Sequence, residues 1–465
     1  MAEPLWTSAD ILAATGGRLE GAPFTAGGVS IDTRSLESGD LFVALGGVRD
    51  GHEFVSAAFE RGAAAALVGR PGEGTRIVVP DTLAALERLG EAARERAPQA
   101  RRGAVTGSVG KTSVTQAIRA GLERAGRAHG SVKSYNNHIG VPLTLARMPT
   151  ATERAVFEIG MNHAGEIGPL TRMVRPHAVV VTTVAPVHTE NFPDGEAGVA
   201  RAKAEIFEGV VAGGLAVLNA DNAWFDFLSN EAKAHDARIV TFGSSAACDA
   251  RLTDFRLEGA GARVGAVLGG RPIDFTLRQT GAHWGLMSLA ALLMMKALEV
   301  PLDDGLAALA AFEPLEGRGA ERRVSIPGGA FTLIDESYNA NPLSVGAALR
   351  TLGLRPAKGR RIVALTDMLE LGPQAANYHA GLAKDAEAAK VDLVFCAGPL
   401  MHSLWEALPP TRQGGYAESA AALVPLLTRA VEPGDVVMVK GSRDSHAKAL
   451  AEALGALGAR SGEAA

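Results

Sequence analysis

The run Thr106-Gly107-Ser108-Val109-Gly110-Lys111-Thr112-Ser113 constrains this chain more than any other. An apolar strand expected over 103–106 leads into it. An amphipathic helix leaves it, with Val114, Ile118, Leu122 and Ala125 on one face. A glycine loop between a strand and a helix N-terminus turns backbone N–H groups toward an anion, with the helix dipole behind them. Lys111 is then placed to neutralise β- and γ-phosphates, and the Thr112 hydroxyl to hold Mg²⁺. The strict pattern has glycine five residues before Gly110. Val105 stands there, so this is a shortened variant.

Strand–loop–helix order of this kind belongs to a mostly parallel sheet covered on both faces. Further buried strands are expected over 155–159, 178–183, 215–218 and 239–242, with helices between them. Residues 248–280 alternate short strands with glycine turns and read as a small antiparallel patch. A helix over 284–298 closes the block near Glu313-Pro314. Before the loop, strands over 29–32, 40–44, 66–68 and 77–79 accompany helices over 53–62 and 82–96. Pro98 stops the last helix, and 97–102 reads as a polar linker. After 315, strands over 331–335, 361–365, 393–396 and 436–439 alternate with helices, and the tail after Leu457 is expected to fray. The fold class is thus α/β in three domains. A small α/β domain covers 1–98, a central phosphate-loop domain 99–314, and a Rossmann-like open domain 315–465. A length of 465 residues gives the same count at roughly 150 residues per domain.

Composition removes other classes. The net charge is −5 with no basic run, unlike a dedicated nucleic-acid binder. Apolar residues make up 47% and charged residues 21%, which excludes wholesale disorder. No apolar run approaches the roughly 18–20 residues that span a bilayer. Two cysteines, Cys248 and Cys396, exclude a disulfide-built fold. No basic cap precedes an apolar N-terminal core, so a cytoplasmic, monomeric protein without membrane or nucleic-acid partners is expected.

Other candidate residues sit at strand ends. Asn136 and Asn137, in the run 135–142, make a tight loop. Glu158 ends a buried strand, where an unpaired carboxylate is costly and a hard cation such as Mg²⁺ fits. His188 follows another strand end, although a lone histidine is more often structural. Lys203 reads on its own as a solvated helix lysine. The run Asp335-Glu336-Ser337-Tyr338-Asn339-Ala340-Asn341-Pro342 follows a strand, and there Asn341 can cap the helix that Pro342 starts. Residues 367–372 and 440–443 also lie just past strand ends, where ligands collect in open α/β sheets. Each of these runs alone is ordinary loop chemistry.

Taken in order, the glycine loop, Asn136-Asn137-His138-Ile139-Gly140-Val141-Pro142, Glu158-Ile159-Gly160-Met161-Asn162, Val187-His188-Thr189-Glu190 and Ala202-Lys203-Ala204-Glu205-Ile206-Phe207 resemble the Mur ligases, ATP-dependent amide-forming enzymes of peptidoglycan synthesis. Ser30-Ile31-Asp32-Thr33-Arg34, Gly39-Asp40-Leu41-Phe42-Val43-Ala44 and Asp50-Gly51-His52 look like their UDP-substrate domain. Runs 335–342 and 367–372 are similar to the branch that joins D-alanyl-D-alanine to UDP-N-acetylmuramoyl-tripeptide. The branch that adds the third residue carries an Asp-Asn-Pro-Arg motif, absent here. Folylpolyglutamate synthases lack the N-terminal block.

The resemblance implies ATP and Mg²⁺ as cofactors, with Gly107, Ser108, Val109, Gly110, Lys111, Thr112 and Ser113 at the phosphates. It implies Thr112, Glu158, His188 and a carbamylated Lys203 at metal. Arg318 would reach nucleotide phosphate, Asp335 ribose and His283 the nucleotide. Asn339 and Asn341 would lie near the reacting groups. Ser30, Asp32, Thr33, Arg34, Asn136, Asn137 and Tyr338 are implied on the substrate side. One departure stands out: where the family has two asparagines at adenine, in Gly-x-His-Asn-x-x-Asn, this chain has Trp284 and Met287. A different Mur-type ligase, or a nucleotide-binding regulator with ATPase activity, is the alternative reading.

Overall fold

The structure is a computed structural model that describes residues 3–462 apart from Val48, Lys133 and His188. Its frame is three mainly parallel sheets following one another along the chain, which is the α/β class expected. The first has the order Arg18–Glu20, Arg76–Val78, Ala65–Val68, Leu41–Val43, Val29–Ser30, with only the first pair antiparallel. Helix Thr82–Arg96 covers it and packs on helix Gly140–Ala146 of the next unit. Gly90 sits at that crossing, where an added Cβ would lie 3.1 Å from Leu145 Cβ and from the Pro142 carbonyl oxygen. The Trp6 indole N–H donates across the same boundary to the Ala146 carbonyl at 2.8 Å.

The central sheet has nine strands. Arg101–Thr106 lies between Arg154–Glu158 and Ala178–Val181, parallel to both, and Ala128–Gly130 forms the near edge. Leu215–Asn219 and Arg238–Gly243 continue the parallel run. Every side chain of Ala178–Val181 is buried, as a strand covered on both faces requires. The expected antiparallel patch is instead part of this sheet. Its strands Ala250–Glu258, Gly261–Leu268 and Arg271–Leu277 join through parallel pairing of Phe242 with Ala250 and Gly243 with Arg251. Helix Lys111–Ala125 buries Val114, Ile118 and Leu122 against helix Trp284–Ala297.

The third sheet has the order Ala320–Ile326, Gly329–Glu336, Val436–Lys440, Arg361–Thr366, Leu393–Ala397, Gln413–Ala417, antiparallel only at its first pair. Its two edge strands carry no apolar signature in the sequence. Glu321, Arg322 and Arg323 face solvent, and Gln413–Ala417 is polar and glycine-rich. Two further expectations need correction. The segment 97–102 is a packed joint and no solvated linker: Ala97, Ala100 and Arg102 are buried, and Arg102 donates to the Val174 carbonyl at 2.9 Å. The C-terminal helix Ala447–Gly462 continues past Leu457, and the rest of the tail expected to fray, 463–465, lies outside the described residues.

Two partly buried histidines give the fold a pH dependence. Burial pushes His129 down to about 4, and burial followed by Arg102 does the same to His177. Between about pH 6.5 and 4 the unfolded chain binds these protons and the folded chain does not. Stability is therefore intact above 6.5 and falls as pH drops toward 4. Urea unfolding at pH 7 and pH 5 should show a loss of about 2 kcal/mol from His129, with a smaller addition from the more exposed His177, and His129→Gln should remove most of that slope.

Candidate functional site

Loop 107–110 leaves the end of strand Arg101–Thr106 and is tied to the end of its neighbour. Ser108 N donates to the Thr183 carbonyl at 2.8 Å, Ser108 Oγ to the Ala185 carbonyl at 3.0 Å, and Thr182 Oγ1 to the Val109 carbonyl at 2.6 Å. Two glycines make the turn, with φ of +144° at Gly107 and +85° at Gly110. Lys111 opens the helix and folds back to donate to the Gly107 carbonyl at 2.7 Å. Burial lowers the pKa of its ammonium, and Glu158 opposes that shift.

Glu158 ends the adjacent strand and is 1% exposed. Its Oε1 accepts from Ser134 Oγ at 2.9 Å and Asn136 Nδ2 at 2.7 Å, while its buried Oε2 has no partner. The Thr112 hydroxyl lies 3.4 Å from Ser134 Oγ. Serine, threonine and carboxylate oxygens thus gather beside the phosphate loop. Among the described residues no three His, Cys, Asp or Glu side chains cluster as a metal site. Hydroxyl and carboxylate oxygens, completed by phosphate, suit a hard cation such as Mg²⁺, and the orphaned Oε2 is the oxygen it would satisfy.

The third sheet presents its strand ends to this loop across a cavity of about 460 Å³. Ser108 to Ser113, Asn136, Asn137 and Glu158 line one side, and Arg318, Tyr338, Asn339 and Asn341 the other. Arg318 stacks on the Tyr338 ring, 3.8 Å from its centroid, and donates to Thr112 Oγ1 at 3.0 Å. Asn341 Oδ1 caps helix Pro342–Leu354, accepting from Ser344 N at 2.9 Å. His283 and Trp284 line the same cavity, as does Met287, and both Trp284 and Met287 also pack into the central core.

Other sequence candidates lie elsewhere. Lys203 is no solvated helix lysine, being 1% exposed. Burial holds its amine well below the ordinary lysine range, and the charge of Lys111 adds to that effect. Asp335 does not line the cavity; its Oδ1 accepts from Ser337 N and Oγ. Ser30, Asp32, Thr33 and Arg34 belong to the first sheet and its loop, outside the cavity lining, and Asp32 pairs with Arg34 at 2.6 Å. Gly107 likewise shapes the loop without lining the cavity. His188 lies outside the described residues.

Sequence reasoning passes over several cavity residues. Ser134 has no signal at all. Glu336 and Lys440 are visible as strand-end residues, with nothing in the sequence to single them out. Lys440 is 3% exposed and donates to Glu336 Oε2 at 3.2 Å and the Asn339 carbonyl at 3.0 Å.

A phosphate loop on a parallel sheet, faced by the strand ends of a second α/β sheet, is the layout of a nucleotide-using ligase. Two family models match here: the Mur ligase middle domain over 105–295 and the Mur ligase, glutamate ligase domain over 322–443. The chain belongs to the Mur ligase family. It is 35% identical, over 94% of its length and 96% of the relative's, to a UDP-N-acetylmuramoyl-tripeptide–D-alanyl-D-alanine ligase of Escherichia coli strain K12. A Bacillus subtilis strain 168 protein of the same name is 32% identical over 90% of each chain. Among solved structures, MurF from Acinetobacter baumannii superposes with a TM-score of 0.85 at 28% identity, covering 97% of this chain and 99% of the other.

The close packing of the loop is testable. At Gly107 an added Cβ would lie 1.9 Å from Thr182 Oγ1, at a φ that side chains rarely adopt. Gly107→Ala should cost about 1–3 kcal/mol in thermal or chemical unfolding of the ligand-free protein. An unchanged midpoint would count against this geometry.

Proposed function

We propose that the chain joins D-alanyl-D-alanine to UDP-N-acetylmuramoyl-tripeptide at the expense of ATP, supplying the pentapeptide precursor of peptidoglycan. The observation that carries this is the match to the Escherichia coli ligase over almost the whole length of both chains, first sheet included. In this reading residues 1–98 bind the UDP end, 99–314 bind ATP, and 315–465 close over the reacting groups. The UDP moiety lies near Ser30, Asp32, Thr33 and Arg34.

The chemistry follows from what a carboxylate lacks. It is a poor electrophile, so the γ-phosphoryl group is first transferred to the tripeptide carboxylate, releasing ADP. The amine of D-alanyl-D-alanine attacks the acyl phosphate, loses a proton, and expels phosphate as the amide forms. Positioning and charge neutralisation carry most of such a transfer. Residues 107–113 cradle the phosphates with backbone N–H groups, and the Lys111 ammonium swings from the Gly107 carbonyl to phosphate. Arg318 adds charge from the third domain, already at hydrogen-bond distance from Thr112. Thr112 and Glu158 would hold Mg²⁺, which neutralises phosphate charge when bound. His283, Trp284 and Met287 flank the nucleotide by apolar contact and stacking in place of two amides. Asp335, whose Oδ1 is held by Ser337 outside the cavity lining, would meet ribose only through its other carboxylate oxygen. Asn136, Asn137, Tyr338, Asn339 and Asn341 face the acceptor side, and His188 would be a further metal ligand, as the family resemblance implies.

Lys203 takes the further step of carbamylation. Its burial favours the neutral amine. That amine adds to CO₂, forming an N–C bond and losing one proton. The result is an anion with two hard oxygens, which a cation beside Lys111 can use.

Phosphate release separates this from an ATPase regulator. ATP alone, and ATP with UDP-MurNAc-tripeptide, should give little phosphate, and adding D-alanyl-D-alanine should start turnover. Strong release unaffected by either partner would overturn the ligase reading. Lys111→Ala should lower turnover at least about 100-fold, with the ligand-free melting temperature nearly unchanged. Lys203→Ala should lose at least about 100-fold, and formate or acetate should restore part of the activity. Full activity of Lys203→Ala without additive would refute the carbamate.

A further inference from the structure

A lysine side chain has four rotatable bonds, so its aim depends on how firmly its backbone is held. Lys203 is the penultimate residue of helix Glu196–Ala204, which runs straight into the 3₁₀ turn Glu205–Gly209. Two carboxylates of that turn reach helix Ile167–Val174: Glu208 pairs with the Arg172 guanidinium on its side, and Glu205 takes the backbone N–H groups at its start. Glu205 Oε1 accepts from Gly165 N at 2.6 Å, and Oε2 accepts from Ile167 N at 3.0 Å and Gly168 N at 3.1 Å. These N–H groups belong to the loop before helix Ile167–Val174 and to its first turn, so the charge also meets the positive end of the helix dipole. No carboxylate inside that helix's own first turn does this.

The rest of the joint agrees. Thr171 Oγ1 donates to the Ile206 carbonyl at 2.8 Å, and Ile206 and Phe207 are fully buried. Gly209 passes so close that an added Cβ would lie 2.1 Å from the Thr171 carbonyl. At the helix's other end Arg94 donates to the Met173 carbonyl and Arg102 to that of Val174. The chain entering the helix is the one that leaves Glu158 and carries Asn162 and Glu166 along the cavity wall. Among the ties between the segment bearing Lys203 and the segment leaving Glu158, Glu205 is the one next to Lys203 in the chain and the one that grips the backbone at the helix start.

We propose that Glu205 is a positioning residue that holds Lys203 in register with Glu158 and the phosphate loop. It touches neither substrate nor nucleotide. The proposal rests on the role given above to Lys203, and the test keeps the two apart. Glu205→Gln keeps an acceptor but sets an amide NH₂ against backbone donors. It should lower kcat about 10–100-fold while the KM for ATP stays within about twofold. Glu205→Asp, which keeps the charge, should recover part of kcat.

The discriminating measurement repeats Glu205→Gln in a Lys203→Ala protein rescued by formate. A diffusing carboxylate does not depend on the backbone of 203–205, so Glu205→Gln should cost no more than about threefold there, the factor collapsing from that in the intact protein. The same 10–100-fold loss in the rescued background would mean general damage and overturn the proposal, as would an unchanged kcat in Glu205→Gln alone. If Glu205→Gln does not fold, Glu205→Asp carries the same comparison. Full activity of Lys203→Ala without formate would fail the Lys203 reading and leave the Glu205 anchor visible only as a drop in melting temperature.

Discussion

The site depends on an electrostatic constraint: Glu158 at a strand end, Lys111 at the start of the helix after the phosphate loop and Lys203 near the end of another helix are wholly or partly withdrawn from water with too few partners among themselves. Glu158 is satisfied on one oxygen only, and Lys111 spends its ammonium on a loop carbonyl. Lys203 lies buried within reach of a second positive charge. A folded chain tolerates such an arrangement at a cost in stability. An anion at the loop and a hard cation at Glu158 relieve all three together, since each brings the charge that its neighbours lack. The strain and the proposed chemistry therefore have one origin.

The same constraint accounts for what was legible in the sequence. The phosphate loop is local: two glycines, a lysine and a hydroxyl at fixed spacing, between a strand and a helix whose apolar face is read directly. Buried strands such as Ala178–Val181 declare themselves as continuous apolar runs. Edge strands do not, because one side faces water. Ala128–Gly130 and Gln413–Ala417 are short or polar, and Ala320–Ile326 carries three consecutive charged residues, Glu321, Arg322 and Arg323. Residues 97–102 misled for a related reason. Arginine and alanine beside a proline look solvated, but Arg102 is buried because helix carbonyls receive it.

Within the site, partners brought from far along the chain were the illegible part. Ser134 matters only because Thr112 and Glu158 converge on it from different elements. Lys203 looks like a surface residue until the turn after it is folded against helix Ile167–Val174. Asp335 looks free until Ser337, two residues on, occupies its carboxylate. Periodicity reports burial along one element and is silent about contacts between elements.

Those contacts also bear on how two domains act as one. Besides Arg318 on Thr112, the Thr189 hydroxyl donates to the Leu371 carbonyl at 3.2 Å. Farther from the loop, Thr280 of the central domain bonds both Glu321 and Arg355, which pair with each other within the third domain, and Ala282 N reaches Thr351 Oγ1 at 3.4 Å. The first two contacts are polar, the one at Arg318 and Thr112 lies on the cavity wall, and each uses a single hydrogen bond worth about 1 kcal/mol net. The cluster around Arg355 is multiply bonded and sits where the chain passes from one domain to the other. A joint that is strong at the hinge and weak at the mouth can open at the mouth without coming apart. Substrates as large as a nucleotide-linked peptide need such an opening, and the guanidinium of Arg318 needs it closed to meet phosphate. The distribution of hydrogen bonds, more than their number, therefore fits this protein to a reaction that must admit three substrates and then exclude water.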